Sequence, residues 1–178
     1  GDVIQAAIGQ SDNAFTPLQL ATYCATIANN GTRLKTHLVK QVTNYNRDQV
    51  ISETEPEVVA QVDISEENLK TVQEAMKGVT QSGGTANSVF GDYGITIAAK
   101  TGTAENPGHS DNVTFIAYAP YDDPEIAVAV VLEYGSRGTY SMNVAKDIFD
   151  AYFYGKTVDE NGNLVMPEET NSSSTANE

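Results

Sequence analysis

At 178 residues, with 40% apolar and 19% charged side chains, the chain has the size and composition of one globular domain, or a large piece of one. Its net charge of −14 argues against a nucleic-acid ligand, because phosphate binding needs a basic surface, and against docking on an anionic membrane. The single cysteine, Cys24, excludes an internal disulfide, and the longest apolar run, Ile126 to Leu132, falls well short of the ~20 residues of a spanning helix.

The chain opens Gly-Asp, with neither an initiator Met nor a signal peptide, and enters a mostly apolar segment, Val3 to Ile8. The expectation is an excised fragment whose export or anchor signal lies upstream. A helix over Pro17–Asn29 follows. Thr16 and Gln19 stand at capping-box spacing, Pro17 occupies the first helical position, and Asn30-Gly31 closes the end. Leu20, Ala21, Cys24, Ala25 and Ala28 line one face, so Cys24 reads as a buried small hydrophobe. Short strands are expected at His37–Val42 and Gln49–Ile51, around the turn-rich Asn44-Tyr45-Asn46-Arg47-Asp48, and Glu53 to Val62 reads as acidic and irregular. Ser65 caps a second helix running to about Gln81, with Leu69, Val72, Met76 and Val79 as its buried stripe.

Ser82-Gly83-Gly84-Thr85 reads as a flexible turn. Strands are expected at Ile95–Lys100, Val113–Ala119 and Ile126–Glu133. The first two are linked by a Gly-, Pro- and Asn-rich segment without helical pattern. A parallel crossover usually needs a helix, so the strands form an antiparallel meander. Val113–Ala119 is largely apolar on both faces, the mark of a central strand with layers on both sides. Pro120-Tyr121-Asp122-Asp123-Pro124 makes the next turn, and a last helix over Ser141–Tyr154 puts Val144, Ala145, Ile148, Phe149 and Tyr152 on one side. Periodicity ends after Gly155, and from about Glu168 the composition is that of a disordered tail. The division is therefore a domain over 1–155 and a tail over 156–178.

Few residues can carry chemistry. Nothing supports a Ser-His-Asp triad: there is no Gly-x-Ser-x-Gly elbow, and the only histidines, His37 and His109, read as surface side chains. Metal sites fail for lack of His and Cys, and no acidic run has calcium-loop spacing, so no cofactor or metal is expected. That leaves Lys100-Thr101-Gly102-Thr103, at the end of the run GITIAAK. The Thr101 and Thr103 hydroxyls can hydrogen-bond a carboxylate, with Lys100 adding a positive charge. Gly102 lets a ligand approach the backbone, and the Thr103 N–H can donate to a developing oxyanion. Alone, the motif reads more readily as an edge strand ending in a Thr-Gly turn.

Its surroundings add to it. AAIGQSDNAFTPLQLATYCATIANNG resembles the Gly-Gln segment, Thr-Pro-x-Gln and following helix of class B penicillin-binding proteins, the cell-wall cross-linking enzymes. The helix before a Gly-Gly-Thr-Ala turn, the strand into AAKTGTAE, the run VTFIAYAPYDDPEIAVAVVLE and a terminal helix then follow in the family's order. The likeness covers about residues 3–155. It implies an α+β fold: an antiparallel sheet of at least three strands with helices packed on it and a C-terminal helix, as part of the penicillin-binding transpeptidase and serine β-lactamase-like fold. It also implies that Lys100, Thr101, Gly102 and Thr103 line the active site, bind the carboxylate of a D-Ala-D-Ala stem peptide or a β-lactam, and supply part of the oxyanion hole. Lys100 and Thr103 take the catalytic roles; Gly9 and Gln10 match near-cleft scaffold.

The departures matter as much. The family's nucleophile is the Ser of Ser-x-x-Lys, but the residues three before each Lys here are Thr32, His37, Glu67, Glu74, Ile97, Asn143 and Phe153. The nucleophilic Ser is absent. Ser11-Asp12-Asn13 mimics the family's Ser-x-Asn, yet it lies between the Gly-Gln and Thr-Pro landmarks, whereas the true motif belongs well upstream; it reads as coincidence. The expectation is the C-terminal part of a transpeptidase domain, inactive alone. Its parent is membrane-anchored on the extracytoplasmic face, and the missing strands and helices leave surfaces through which the fragment self-associates. Two other readings stand beside it: a non-catalytic sensor or interaction module of the same fold, and an unrelated acidic interaction domain with a chance Lys-Thr-Gly.

Overall fold

The computed structural model describes residues 2–7, 9 and 13–166. Gln10, Ser11, Asp12 and the expected tail from Glu168 lie outside the described residues. A short helix α1 (Asp2–Ala7) precedes α2 (Pro17–Ala28), which starts where its cap dictates. The Gln19 N–H donates to Thr16 Oγ1 at 3.2 Å and the Thr16 N–H to Gln19 Oε1 at 2.8 Å, the reciprocal pair of a capping box. Cys24, Thr26 and Ile27 are its buried residues, whereas Ala25, expected on the inner face, is exposed. Thr26 tolerates burial because its hydroxyl donates to the Thr22 carbonyl at 2.7 Å.

Four short strands follow: β1 (Thr32–Leu34), β2 (Gln41–Thr43), β3 (Val50–Glu53) and β4 (Val58–Gln61). β2 and β3 form the expected hairpin, with Asn44 Oδ1 accepting from the N–H groups of Asp48 and Gln49. His37–Lys40 is not strand, and the stretch read as irregular contains β4, which pairs outside the hairpin with β1. That pairing rests on partners distant in sequence, such as Thr32 with Gln61, and no local pattern announces it.

Helix α3 (Glu66–Gly78) is capped by Ser65, whose hydroxyl accepts from the Asn68 N–H, and buries Leu69 and Met76; Val72 stays 39% exposed. It ends at Gly78, short of Gln81, because the carbonyls of Gly78 and Val79 accept from Gln81 and Ala86 in the next turn. After the one-turn α4 (Asn87–Phe90) come the three strands of the central sheet, β5 (Ala98–Ala104), β6 (Asn112–Ala119) and β7 (Ile126–Leu132), in the antiparallel order β5-β6-β7. The meander is thus present, with β5 displaced along the chain. Ile97 stays outside the ladder because its carbonyl accepts from the Thr80 hydroxyl at 2.7 Å, and pairing begins at Ala98 with Tyr118 and continues to Ala104 with Asn112.

Helix α5 (Gly138–Tyr154) begins before Ser141, whose hydroxyl turns back onto the Gly138 carbonyl inside the helix instead of capping it. Its buried stripe is Met142, Ala145 and Phe149; Val144, Ile148 and Tyr152 stay 38–51% exposed. Past Gly155 the chain forms a small hairpin, β8 (Thr157–Val158) with β9 (Leu164–Val165).

β6 carries the core. Phe115, Ala117 and Ala119 face α4 and α5, where Phe115 stacks on Phe90 with centroids 5.5 Å apart and meets Ala99, Val130 and Phe149. Ile116 and Tyr118 face α2 and α3, packing with Cys24, Ile27, Leu69 and Met76. An apolar period on both faces of one strand is therefore explained by a helical layer on each side. The α5 end is pinned by Asp150, 2% exposed, which accepts from Lys146 (2.7 Å), Lys156 (2.8 Å) and the Tyr93 hydroxyl (2.9 Å).

Candidate active site

Lys100-Thr101-Gly102-Thr103 lies inside β5 and not at its end, in full register with β6: Lys100 opposite Ile116, Thr101 opposite Phe115, Gly102 opposite Thr114 and Thr103 opposite Val113. Opposed residues of an antiparallel pair share a face. Lys100 and Gly102 therefore stand on the α2/α3 side, and Thr101 and Thr103 on the α4/α5 side. β5 is an outer strand of its sheet, and among the described residues no strand pairs with its free edge. Alternate backbone N–H and C=O groups are thus open there to an extended ligand. Lys100 and Thr103 are exposed and Thr101 and Gly102 half-buried; the Lys100 ammonium donates to the Thr101 carbonyl at 2.5 Å.

Gly102 has a structural reason of its own. A Cβ there would fall 2.2 Å from Thr114 Oγ1 on β6, so no side chain fits while Thr114 keeps its place. Nothing in the sequence ties residue 114 to the tetrapeptide; the link exists only through the register.

The turn before β5 also reaches the site. Thr85 Oγ1 lies 3.1 Å from Thr101 Oγ1. Read from sequence as flexible, this turn is closely held. The Gly84 N–H donates to Gln81 at 2.8 Å, the Ala86 N–H to Val79 at 2.9 Å, and a Cβ on Gly84 would sit 2.2 Å from the Val79 carbonyl oxygen. Ala86 is fully buried. The Gly-Gly-Thr-Ala pattern was the available signal, but sequence alone does not show which hydroxyl Thr85 meets.

The hydrogen bonds of His37, His109 and Gly9 go to residues outside the tetrapeptide: His37 Nδ1 meets the Lys35 carbonyl and the His109 N–H the Asn106 carbonyl. His37 and His109 are exposed, the latter with its ring centroid 5.1 Å from that of Tyr134. Gly9 follows α1 in a left-handed conformation (φ +86°), its N–H donating to Ala6. Ser11 and Asp12, like Gln10, lie outside the described residues. No group of His, Cys, Asp and Glu among the described residues could hold a metal, and no described helix is long and apolar enough to cross a membrane. Two hollows of about 580 and 560 Å³ lie around α2, lined by residues such as Thr26, Asn29 and Asp122 or by Phe15, Leu18 and Tyr23; neither includes the tetrapeptide. The tetrapeptide therefore sits on an open edge, and these two hollows belong to the surface around α2.

A helix-covered antiparallel sheet with Lys-Thr-Gly-Thr on its edge strand defines a class, and residues 1–153 match the penicillin binding protein transpeptidase domain. The chain belongs to that family. It is 37% identical to penicillin-binding protein 2A of Bacillus subtilis over 172 residues, covering 86% of this chain and 24% of that protein. Among solved structures, penicillin-binding protein 2B of Streptococcus pneumoniae R6 superposes with a TM-score of 0.73 at 34% identity, over 85% of this chain and 26% of that one. The imipenem acyl-enzyme complex of penicillin-binding protein A from M. tuberculosis superposes with a TM-score of 0.71 at 30% identity, over 84% and 33%. The chain spans about a quarter of the length of the curated relatives it matches. The fold is the α+β fold expected from the sequence.

Proposed function

We propose that this chain is the C-terminal part of a peptidoglycan D,D-transpeptidase and forms the carboxylate-binding wall of its active site. The observation that carries the reading is Lys100-Thr101-Gly102-Thr103 on an unpaired strand edge, in a family whose relatives include the peptidoglycan D,D-transpeptidase MrdA of Haemophilus influenzae. Lys100 supplies positive charge, Thr101 and Thr103 hydroxyls bind the terminal carboxylate, and the Thr103 N–H donates to the oxyanion of the tetrahedral intermediate. Gly9 and Gln10 serve as scaffold near the cleft.

The reaction is acyl transfer. A serine hydroxyl from outside these residues attacks the penultimate D-Ala carbonyl, the peptide C–N bond breaks, and D-Ala departs with the proton on its amine. The amine of a neighbouring stem peptide then attacks the ester, forms the new amide and releases the serine. A β-lactam carbonyl is attacked in the same way, its ring C–N bond opening. The whole protein works at the extracytoplasmic face of the membrane, held by an anchor outside this chain.

Fluorescent penicillin tests the reading. The full-length protein that contains this chain is expected to form a stable adduct, and residues 1–178 alone to form none. Lys100→Ala in the full-length protein should slow labelling by about 10–100-fold, the loss of a charge-assisted hydrogen bond. A full-length protein that takes no label, or a labelled 1–178 fragment, would contradict it.

A further inference from the structure

The contact between Thr85 and Thr101 is not required by burial. The hydrogen bond at 3.1 Å lies in an exposed part of the surface, where water can satisfy each hydroxyl. Exposed threonines on a loose turn would not hold such a geometry, but this turn is not loose. Gly84 leaves no room for a Cβ beneath the Val79 carbonyl, Ala86 is fully buried, and Asn87 Nδ2 donates to the Thr80 carbonyl at 3.1 Å. Thr80 itself, 2% exposed, donates to the Ile97 carbonyl at 2.7 Å, just before β5 begins. The turn is thus tied to the residue that leads into the edge strand, and Thr85 is presented to Thr101 from it.

Proton counting gives the contact a direction. A hydroxyl has one proton and two lone pairs. If Thr101 donates to Thr85, it has no proton left for an anionic ligand. If Thr85 donates to Thr101, the Thr101 proton is free for a carboxylate and its oxygen is held in one rotamer. We propose that Thr85 is a positioning residue: its hydroxyl donates to Thr101 Oγ1 and directs the Thr101 O–H at the ligand's carboxylate. Thr85 touches no reacting atom; it acts through Thr101. The inference rests on the transpeptidase reading and adds to it a residue outside the Lys-Thr-Gly-Thr strand.

The test uses the full-length protein that contains this chain and the second-order rate of acylation by fluorescent penicillin. Thr85→Val keeps the shape and removes the hydroxyl; it should lower the rate about fivefold to tenfold. Thr85→Ser should return to within about twofold. In a Thr101→Val background, Thr85→Val should add no further loss, because the hydroxyl it orients is gone. A β-lactam with its carboxylate masked as a methyl ester should react equally with the parent protein and with Thr85→Val, a readout that general damage to the fold would not spare. Thr85→Val reacting at the parent rate, a loss additive with Thr101→Val, or an equal loss with the ester would each overturn the proposal. If the unaltered protein is not acylated at all, the transpeptidase reading itself falls, which is a different result from acylation that ignores Thr85.

Discussion

The two outer strands of the central sheet face the same problem and meet it differently. β5 has Lys, Gly and two Thr along its length, with Lys100 and Thr103 exposed. β7 is the uninterrupted apolar run Ile126-Ala127-Val128-Ala129-Val130-Val131-Leu132. Among the described residues, neither has a strand on its outer side. Charge on an edge resists indiscriminate strand addition, and glycine leaves the backbone approachable. A long apolar edge has no such charge and invites strand addition unless a strand, helix or loop covers it. The contrast is between an edge whose charge resists strand addition and an apolar edge that lacks that charge.

The largest effect expected from this contrast is on assembly. We expect residues 1–178 alone to self-associate through β7, giving a light-scattering mass above that of a monomer that rises with concentration. Val131→Lys should restore a monomer, whereas an added charge on β5 should not. A compact monomer at every concentration would count against this role for the β7 edge.

A smaller effect is expected behind the sheet, at Asp150. Burial raises its pKa, but the hydrogen bonds from Lys146, Lys156 and Tyr93 outweigh burial and hold the carboxyl below the usual carboxylate range. A lowered folded-state pKa adds stability that is present above the unfolded value of about 3.9 and is lost as pH falls through the folded value. Asp150→Asn should cost about 2–3 kcal/mol at neutral pH by denaturant melting, and the difference from the parent should shrink in acid. Penicillin labelling of the folded full-length variant should be unaffected, since Asp150 belongs to neither edge.

The smallest effect sharpens the β5 side. Gly102→Ala should cost about 1–3 kcal/mol, because its Cβ would meet Thr114 Oγ1. Adding Thr114→Ala should recover most of that loss, since the next Thr114 atom, Cβ, is 3.6 Å away. Thermal melts of the single and double variants decide it; no recovery would mean that Gly102 is required for another reason.

Much of the fold was legible because its signals are local. The capping box at Thr16 and Gln19, the Asn44 turn and the alternating apolar faces of β6 each lie within a few residues of the structure they specify. What escaped depends on partners far away in sequence. β1 and β4 are polar-flanked and exposed, so nothing marks them until they pair. The start of β5 is set by Thr80 capturing the Ile97 carbonyl. At the candidate site the tetrapeptide could be read directly, whereas Thr85 and Thr114 could not. Their importance comes from a hydroxyl across a turn and a hydroxyl across a ladder, and neither distance can be obtained from spacing.

Cys24 has a consequence of a different kind. Its thiol is fully buried between α2 and the sheet, and burial pushes its pKa up to about 12. Thiolate is the reactive form, so this sulfur is screened both by access and by protonation. In an oxidising compartment, a lone surface thiol can link copies of a protein through disulfides. Cys24 cannot do so while the fold is intact. Burial alone therefore keeps this cysteine from needing a disulfide partner, whatever the redox poise around the folded chain.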